Sequence, residues 1–238
     1  RLQGDWSSDV CSSDLGPTFI KLGQLFSTRS DLFPAEYVEE LSKLQDQVPA
    51  FSYEQVKEIV EADLGRPVEE LYQTFDPIPL AAASLGQVHR AQLHSGEEVV
   101  VKIQRPNLQR LFQIDLSILK GIAQYFQSHP EWGKGRDWIG IYEECCRILW
   151  LEIDFLHEGR NADTFRRNFR DIDWVKAPRI YWRYASQRVL TLEYLPGIKI
   201  SHYESLEAAG LDRQHLAQLG AQAYLHQLLN DGFFHADP

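Results

Sequence analysis

Apolar residues recur every three or four positions over residues 17–72, a spacing that predicts amphipathic helices. Pro17 stands where a helix start tolerates proline, because the first turn has no intrahelical use for that N–H. Two segments that contain proline, 31–34 and 47–49, interrupt the spacing and predict breaks between helices. The first part of the chain is therefore predicted to be helical.

The pattern changes to alternation over residues 75–104. Residues 87–94 alternate between polar and apolar, Ser95 and Gly96 supply a turn, and residues 97–104 alternate before becoming continuously apolar. Alternation of this kind is typical of paired antiparallel strands.

The remaining sequence returns to helical spacing and contains two more strands. Helices are predicted over residues 108–127, about 138–170 and 212–231, and strands over 179–183 and 187–194. A small antiparallel sheet with a helix, then a short hinge and further helices, is the layout of a protein kinase. The fold class is therefore predicted to be α+β and protein kinase-like.

Composition narrows the function classes. The chain has 34 acidic and 24 basic residues, a net charge of −10, which argues against nucleic-acid binding because phosphate neutralisation needs Lys and Arg. ATP stays compatible, since magnesium and one or two fixed cations neutralise its phosphates locally. The chain has no apolar run of the roughly 18 residues that a membrane span needs. We expect a cytoplasmic protein, with association to a membrane surface left open.

The first fifteen residues differ from the rest. Residues 5–15 resemble a translated sequencing adapter, and residues 1–15 have no apolar core, which excludes a signal peptide. We therefore expect residues 1–15 to be non-native and the native sequence to begin near Gly16. Residues 1–15 carry one Arg and three Asp, so the net charge without them is −8.

Lys102 stands in the apolar run Val-Val-Val-Lys-Ile-Gln-Arg-Pro. Alone, such a lysine is most often one whose ammonium reaches solvent along the strand. Here a small-residue loop, 81–87, precedes it and His235-Ala-Asp237 follows it, which is the order of the phosphate loop, the lysine and the catalytic aspartate in a protein kinase. Lys102 is therefore predicted to contact the phosphates of ATP or ADP.

The loop itself supplies the other candidate phosphate contacts, which are Ala81, Ala82, Ala83 and Ser84. Small residues let backbone N–H groups approach phosphate oxygens, as glycines do in ordinary kinases, although alanines restrict the backbone more. A tight hairpin without a ligand is the alternative.

Together these motifs resemble the UbiB/AarF/ADCK family of atypical kinases. The matching segments occur in family order, and they are Lys21-Leu-Gly-Gln24 for K-x-G-Q, Ala81–Ser84 for the alanine-rich loop, Val101–Pro106 for the strand-three lysine, Glu152-Ile-Asp154 for E-x-D and His235–Pro238 for the start of H-x-D-P-H-P-G-N. The resemblance implies a helical extension over 16–74, a kinase-like N-lobe and hinge over 75–195, and the start of a C-lobe over 196–238 that is cut at the catalytic loop.

The resemblance also implies roles for individual residues. Glu158 would pair with Lys102, Leu192 would be the gatekeeper, and the backbone of Glu193 and Leu195 would meet the adenine in the hinge. A strand that simply ends at Pro-Gly is equally compatible with the hinge sequence.

In the family, Lys21 and Gln24 lie on an extra helix that packs over the site toward Glu152 and Asp154 and would exclude a protein substrate. By spacing, Asp154 and Glu158 share a helix face and Glu152 lies on another, so the three carboxylates are not expected to do one job. A surface lysine and a solvated acidic helix face are the alternatives.

Asp237 is the implied catalytic base or water-orienting residue. ATP or ADP and Mg²⁺ are the implied cofactors, with the metal ligands, an asparagine and a later aspartate, expected beyond Pro238. The residues given are therefore expected to be inactive by themselves, and the intact protein to be an enzyme.

Two function classes remain open. The first is an atypical kinase or ATPase that supports isoprenoid-quinone biosynthesis or lipid homeostasis, with isoprenoid-quinone precursors, lipids or quinone-biosynthesis proteins as partners. The second is a non-catalytic, nucleotide-responsive scaffold that binds lipid or protein. A phosphotransferase of the aminoglycoside-kinase type is a third, which the K-x-G-Q motif disfavours.

Overall fold

A computed structural model of the protein describes residues 16–29, 32, 34–42, 48–129, 131 and 136–235. The N-terminal part is helical, as predicted. Its helices are α1 (Pro17–Ser27), α2 (Ala35–Ser42), α3 (Tyr53–Leu64) and α4 (Val68–Leu71). Ser52 begins α3 with a capping box, because its side chain accepts from the N–H of Gln55 while the Gln55 side chain accepts from the N–H of Ser52.

The sheet is antiparallel throughout. Its strands are β1 (Thr74–Phe75), β2 (Ala81–Ala82), β3 (Gly86–Gln92), β4 (Glu98–Gln104), β5 (Ile180–Ala185) and β6 (Val189–Glu193). The spatial order is β1-β3-β4-β6-β5, and β2 also pairs with β3. The central strand β4 therefore lies between β3 and β6, with Lys102 opposite Val88 on one side and Leu190 on the other.

The segment 81–87, predicted as a loop, is mostly strand. Ala81 pairs with Val88 and Ala82 pairs with Gln87, and the N–H of Ala83 donates to the carbonyl of Gly86 at 2.8 Å. Only residues 83–85 leave the ladder, so the connection is a tight turn. The prediction of a longer loop was wrong because the exposed edge of β3 offers hydrogen bonds that override the weak strand preference of alanine.

The later helices are α5 (Leu108–Ser128), α6 (Trp138–Glu152), α7 (Phe155–Asn168), α8 (Tyr203–Ala208) and α9 (Arg213–His226), followed by a π-helical turn, Gln227–Asp231. Two helices occupy the region predicted as one helix over 138–170. The break is at Ile153 and Asp154, because Asp154 takes a non-helical backbone and caps the start of α7.

Three groups of buried apolar side chains hold these elements together. The first joins α3 and α4 to the sheet and includes Val56, Val60, Val101 and Ile103. In the second group, α1 packs against α5 and α6. The third group, Phe155, Ile180 and Leu190, fixes α7 on β5 and β6.

The sheet is also anchored by polar contacts to α3. Arg188 donates to both carboxylate oxygens of Asp63, and Ser186 Oγ donates to the same carboxylate at 2.6 Å. Burial acts to raise the pKa of Asp63, but these hydrogen bonds outweigh it and hold that pKa below its usual value. Within the described part of the chain, no helix has the length and apolar character to cross a bilayer.

Candidate functional site

The side chain of Lys102 points away from the hydrophobic core, whereas the residues on either side of it in β4 are buried in that core. Val101 and Ile103 on either side are fully buried, so alternation directs Lys102 to the opposite face of β4. Its Nζ lies 2.6 Å from Glu158 Oε2 and 4.7 Å from the centre of the Phe155 ring. The side chains of Lys102 and Glu158 are 31% and 43% exposed. Because the pair is half-exposed, the ammonium group lies within reach of a ligand from solvent.

Glu158 reaches Lys102 because the first turn of α7 is packed against the sheet through Phe155. Phe155 is fully buried at the start of the helix, and three residues later the same face carries Glu158. The sequence separation of 56 residues means that tertiary packing, not local spacing, makes the pair. The structure thus brings together the two residues for which the sequence predicted pairing, while their catalytic roles remain predictions.

Asp154 lies outside the helix that carries Glu158, because its backbone is not helical, so the expectation that both residues belong to one helix was wrong. Asp154 is the N-cap of α7, and its Oδ1 accepts from the N–H of Leu156 at 3.1 Å. Its other oxygen lies 3.5 Å from Arg160. A capping carboxylate is turned back to the helix start, which satisfies N–H groups that the helix leaves open.

A buried glutamine ties the E-x-D segment to β4. Gln104 is 2% exposed, and its Nε2 donates to the carbonyl of Ile153 at 2.7 Å. Ile153 lies between Glu152 and Asp154, so the lysine strand and the E-x-D segment are fixed to each other. Gln104 was not among the residues predicted from the sequence, although a glutamine at the end of an apolar strand was a signal for such a contact.

The predicted regulatory residues lie on α1, at the end of α6 and at the N-cap of α7. Lys21 and Gln24 are half-buried on α1, which packs against α5 and α6, and Glu152 is exposed at the end of α6. An apolar contact links the two segments, since Leu22 is buried in the same cluster as Ile153. The extra helix therefore packs beside the E-x-D segment, and its inhibitory role stays a prediction.

Gly86 lets the alanine-rich turn lie directly on the lysine strand. A Cβ at position 86 would stand 2.3 Å from the carbonyl oxygen of Ile103, closer than any real contact. Because Ile103 follows Lys102, the turn that ends at Gly86 is fixed next to the candidate phosphate-contacting lysine. Of the predicted cofactor-contacting residues, Ala83 and Ser84 lie in this turn, whereas Ala81 and Ala82 lie in β2.

A buried polar network, which was not predicted from the sequence, supports this turn. Gln87 and His89 are 1% and 0% exposed. Gln87 exchanges hydrogen bonds with both backbone groups of Phe51 and donates from Nε2 to His89 Nε2 at 2.8 Å. His89 Nδ1 then donates to the carbonyl of Asp76 at 2.7 Å, which identifies the neutral tautomer. Burial lowers the pKa of His89, in agreement with a neutral ring.

The predicted hinge follows β6. The N–H of Glu193 donates to Arg179 and the N–H of Tyr194 donates to Glu98, so both are used within the sheet. The N–H of Leu195, by contrast, has no partner in the part of the chain that the structure describes. Leu192 is half-buried opposite Val100. Of these three hinge residues, Leu195 is therefore the one whose N–H is not used in the sheet of the described chain.

Asp237 lies outside the described residues. His235, two residues earlier, is held through its N–H, which donates to Gln227 Oε1 at 2.8 Å. Among the residues that are described, no three His, Cys, Asp or Glu side chains cluster closely enough to bind a metal ion.

Comparison with known proteins agrees with this arrangement. Residues 43–238 match the model of the ABC1 atypical kinase-like domain. Protein sll1770 of Synechocystis is 74% identical over 238 residues, all of this chain and 40% of that protein. Protein ACTIVITY OF BC1 COMPLEX KINASE 7, chloroplastic, of Arabidopsis thaliana is 60% identical over 224 residues, 94% of this chain and 32% of that protein. The chain thus spans 32–40% of the length of these relatives.

The fold also matches a solved structure, the complex of Rv3197 with erythromycin from Mycobacterium tuberculosis. The TM-score is 0.57 and the identity 27%, and the match covers 75% of this chain and 45% of that one. The α+β, kinase-like fold predicted from the sequence is thereby confirmed. Because the family model covers most of the chain, the protein belongs to the ABC1 atypical kinase-like family.

Proposed function

We propose that the intact protein binds Mg–ATP or Mg–ADP at Lys102 and transfers or hydrolyses the terminal phosphoryl group. The observation that carries the proposal is the 2.6 Å contact between Lys102 and Glu158 on a central strand, beside a turn of small residues. In kinases this pairing holds the lysine in position to contact nucleotide phosphates.

The donor groups present suit a nucleotide. The half-exposed ammonium of Lys102 can bind phosphate oxygens while Glu158 keeps it oriented. The N–H of Leu195, without a partner in the described chain, suits an adenine acceptor. When bound, Mg²⁺ would neutralise the developing charge on the phosphates. Asp237 is the proposed base for the attacking group or orienter of a water.

The test compares two lysines with ion pairs of equal length. In the full-length protein, Lys102→Ala should weaken Mg–nucleotide binding by about 1–3 kcal/mol, the scale of lost charge-assisted hydrogen bonds. Lys57→Ala is the control, since Lys57 also lies 2.6 Å from a glutamate, Glu69, but on α3. Equal affinity of both variants and the unchanged protein, measured by calorimetry, would refute the proposed nucleotide site.

For the biological role we propose support of isoprenoid-quinone biosynthesis or lipid homeostasis, which rests on family membership. Two Arabidopsis relatives are chloroplastic by name. For this chain we propose a cytoplasmic location at a membrane surface. The test is the quinone content of cells that lack the protein, complemented with the unchanged gene or with Lys102→Ala. Equal quinone content in both complemented strains would contradict a quinone role that depends on Lys102.

A non-catalytic scaffold is the competing function, and one surface favours it. Helix α5 carries exposed apolar side chains at helical spacing, which are Leu111, Ile114, Ile118, Ile122 and Tyr125. Such a surface suits a lipid or protein partner. Phosphate release above the level of the Lys102→Ala protein would support catalysis, whereas nucleotide binding without any turnover would support the scaffold.

A further inference from the structure

Arg105, the residue after β4, gathers backbone carbonyls from the alanine-rich turn. Its Nη2 donates to Ala83 at 3.1 Å, its Nε donates to Ser84 at 3.2 Å, and its own N–H donates to Leu85 at 2.8 Å. The same guanidinium donates to the carbonyl of Pro49 at 3.0 Å. Three successive carbonyls of the turn therefore all point toward one residue.

This arrangement fixes where the N–H groups of the turn point. In a planar trans peptide, the carbonyl of one residue and the N–H of the next point in opposite directions. The guanidinium holds the carbonyls of Ala83 and Ser84, so the N–H groups of Ser84 and Leu85 are directed away from it. The backbone N–H of Arg105 holds the carbonyl of Leu85 in the same way. Successive N–H groups on one side of a turn form a concave anion-binding surface.

Arg105 also joins the turn to the segment before α3. The carbonyl of Pro49 in this segment accepts a hydrogen bond from Arg105. The centre of the Phe51 ring lies 5.5 Å from the guanidinium carbon. Gln87 fixes the same Phe51 through hydrogen bonds to its N–H and carbonyl. Hydrogen bonds thus join three segments into one unit: the turn, residues 86–87 at the start of β3, and residues 49–51.

We propose that Arg105 is a positioning residue of the nucleotide site: it draws the carbonyls of the turn to one side so that the opposite N–H groups face the phosphates. This inference rests on the proposed function. In ordinary kinases, glycines let the backbone of the phosphate loop take the required orientation. Here the donors of the Arg105 guanidinium fix that orientation in a turn built of alanines. Lysine keeps the charge but cannot supply the planar fork.

The test uses the full-length protein with Arg105→Lys and a matched control, Arg188→Lys. Arg188 also makes several hydrogen bonds, but to Asp63 on α3. We expect Arg105→Lys to lower Mg–ATP affinity about tenfold at a temperature well below melting, since lysine cannot replace the lost fork. Arg188→Lys should lower only the melting temperature. A second readout is amide hydrogen exchange with Mg–ATP bound, in which the protection that the nucleotide gives to the N–H groups of Ser84 and Leu85 should be lost in Arg105→Lys alone.

The outcomes separate the inference from the proposed function. Reduced binding in Lys102→Ala with unchanged binding in Arg105→Lys would overturn the role of Arg105 and leave the nucleotide site standing. Loss of affinity in both arginine variants, in proportion to their melting temperatures, would reduce Arg105 to a structural residue. If the unchanged protein bound no Mg–nucleotide, both proposals would fail together.

Discussion

Gly159 of α7 lies against the indole of Trp182 in β5. A Cβ at position 159 would stand 2.9 Å from Trp182 Cη2 and 3.2 Å from Leu190 Cδ1. The same indole donates from Nε1 to Asp163 at 2.7 Å, which ties the helix to the strand. Since Glu158 immediately precedes Gly159, the close approach of α7 to the sheet is what lets Glu158 reach Lys102.

The first prediction compares two glycine-to-alanine changes within helices. Gly121→Ala in α5, where a Cβ meets no atom within 4 Å, should stabilise the protein by about 0.5–1 kcal/mol through helix propensity. Gly159→Ala should lose that gain and more, because the new methyl displaces Trp182 and weakens its bond to Asp163. Urea unfolding of both variants measures the difference. Equal stabilisation would show that α7 does not need the close approach.

The second prediction concerns pH. Burial lowers the pKa of His89 below its usual 6.5, while the unfolded chain titrates near that value. As pH falls, His89 therefore binds a proton in the unfolded state before it does so in the folded state. The contribution of the neutral, buried ring to stability is complete above about pH 6.5 and is lost as pH falls from there to the lowered pKa of the folded state. His89→Gln should flatten the loss of unfolding free energy between pH 7.5 and 5, whereas exposed His94→Gln should not. An identical slope in both variants would contradict a neutral, buried His89.

The order of helices and strands could be predicted because their periodicities are local properties. The direction in which a strand faces is not local. Alternation in β3 places Gln87, His89 and Ala91 on one face, but alternation alone does not tell which face is buried. They point inward because Phe51 and Asp76, far away in sequence, supply the hydrogen bonds that make their burial possible.

The candidate site shows the same division. The pairing of Lys102 with Glu158 was predicted through the family resemblance, since nothing in their separation of 56 residues reveals a contact. Asp154 was misplaced because helical spacing was continued through residues 153 and 154, where a capping side chain competes with the helix for backbone N–H groups. Arg105 carried no sequence signal beyond its place in the lysine motif.

The third prediction ranks the alanines of the turn, which the sequence alone could not do. Ala83→Gly should change Mg–nucleotide affinity or the preference between ATP and ADP most, because Ala83 closes the turn and glycine frees its backbone. Ala81→Gly is the matched control, since Ala81 is exposed in β2 and paired with Val88 of β3. This change should cost about 0.5–1 kcal/mol of stability with unchanged binding. If neither variant, nor Ala82→Gly, altered binding of either nucleotide, the turn would be a plain hairpin.

The last prediction concerns the extra helix. Helix α1 packs against α5 and α6, and Leu22 shares a buried cluster with Ile153 of the E-x-D segment. If α1 covers the site as an inhibitory lid, Lys21→Ala in the full-length protein should raise autophosphorylation or phosphorylation of an added peptide, because truncation removes the charged contact of a lysine. Gln24→Ala should act in the same direction, since Gln24 lies three residues further on the same helix face.

The competing role for α1, a purely structural cap, predicts a different pair of results on the same Lys21→Ala protein. A cap that loses a contact lowers the melting temperature without any new phosphorylation, whereas a lid that opens gives new activity at a nearly unchanged melting temperature. Lys120→Ala, an exposed lysine on α5, controls for the loss of a surface charge and should change neither quantity. A Lys21→Ala protein with a lower melting temperature and no new phosphorylation would rule out the lid, because a purely structural role of α1 would then explain both results.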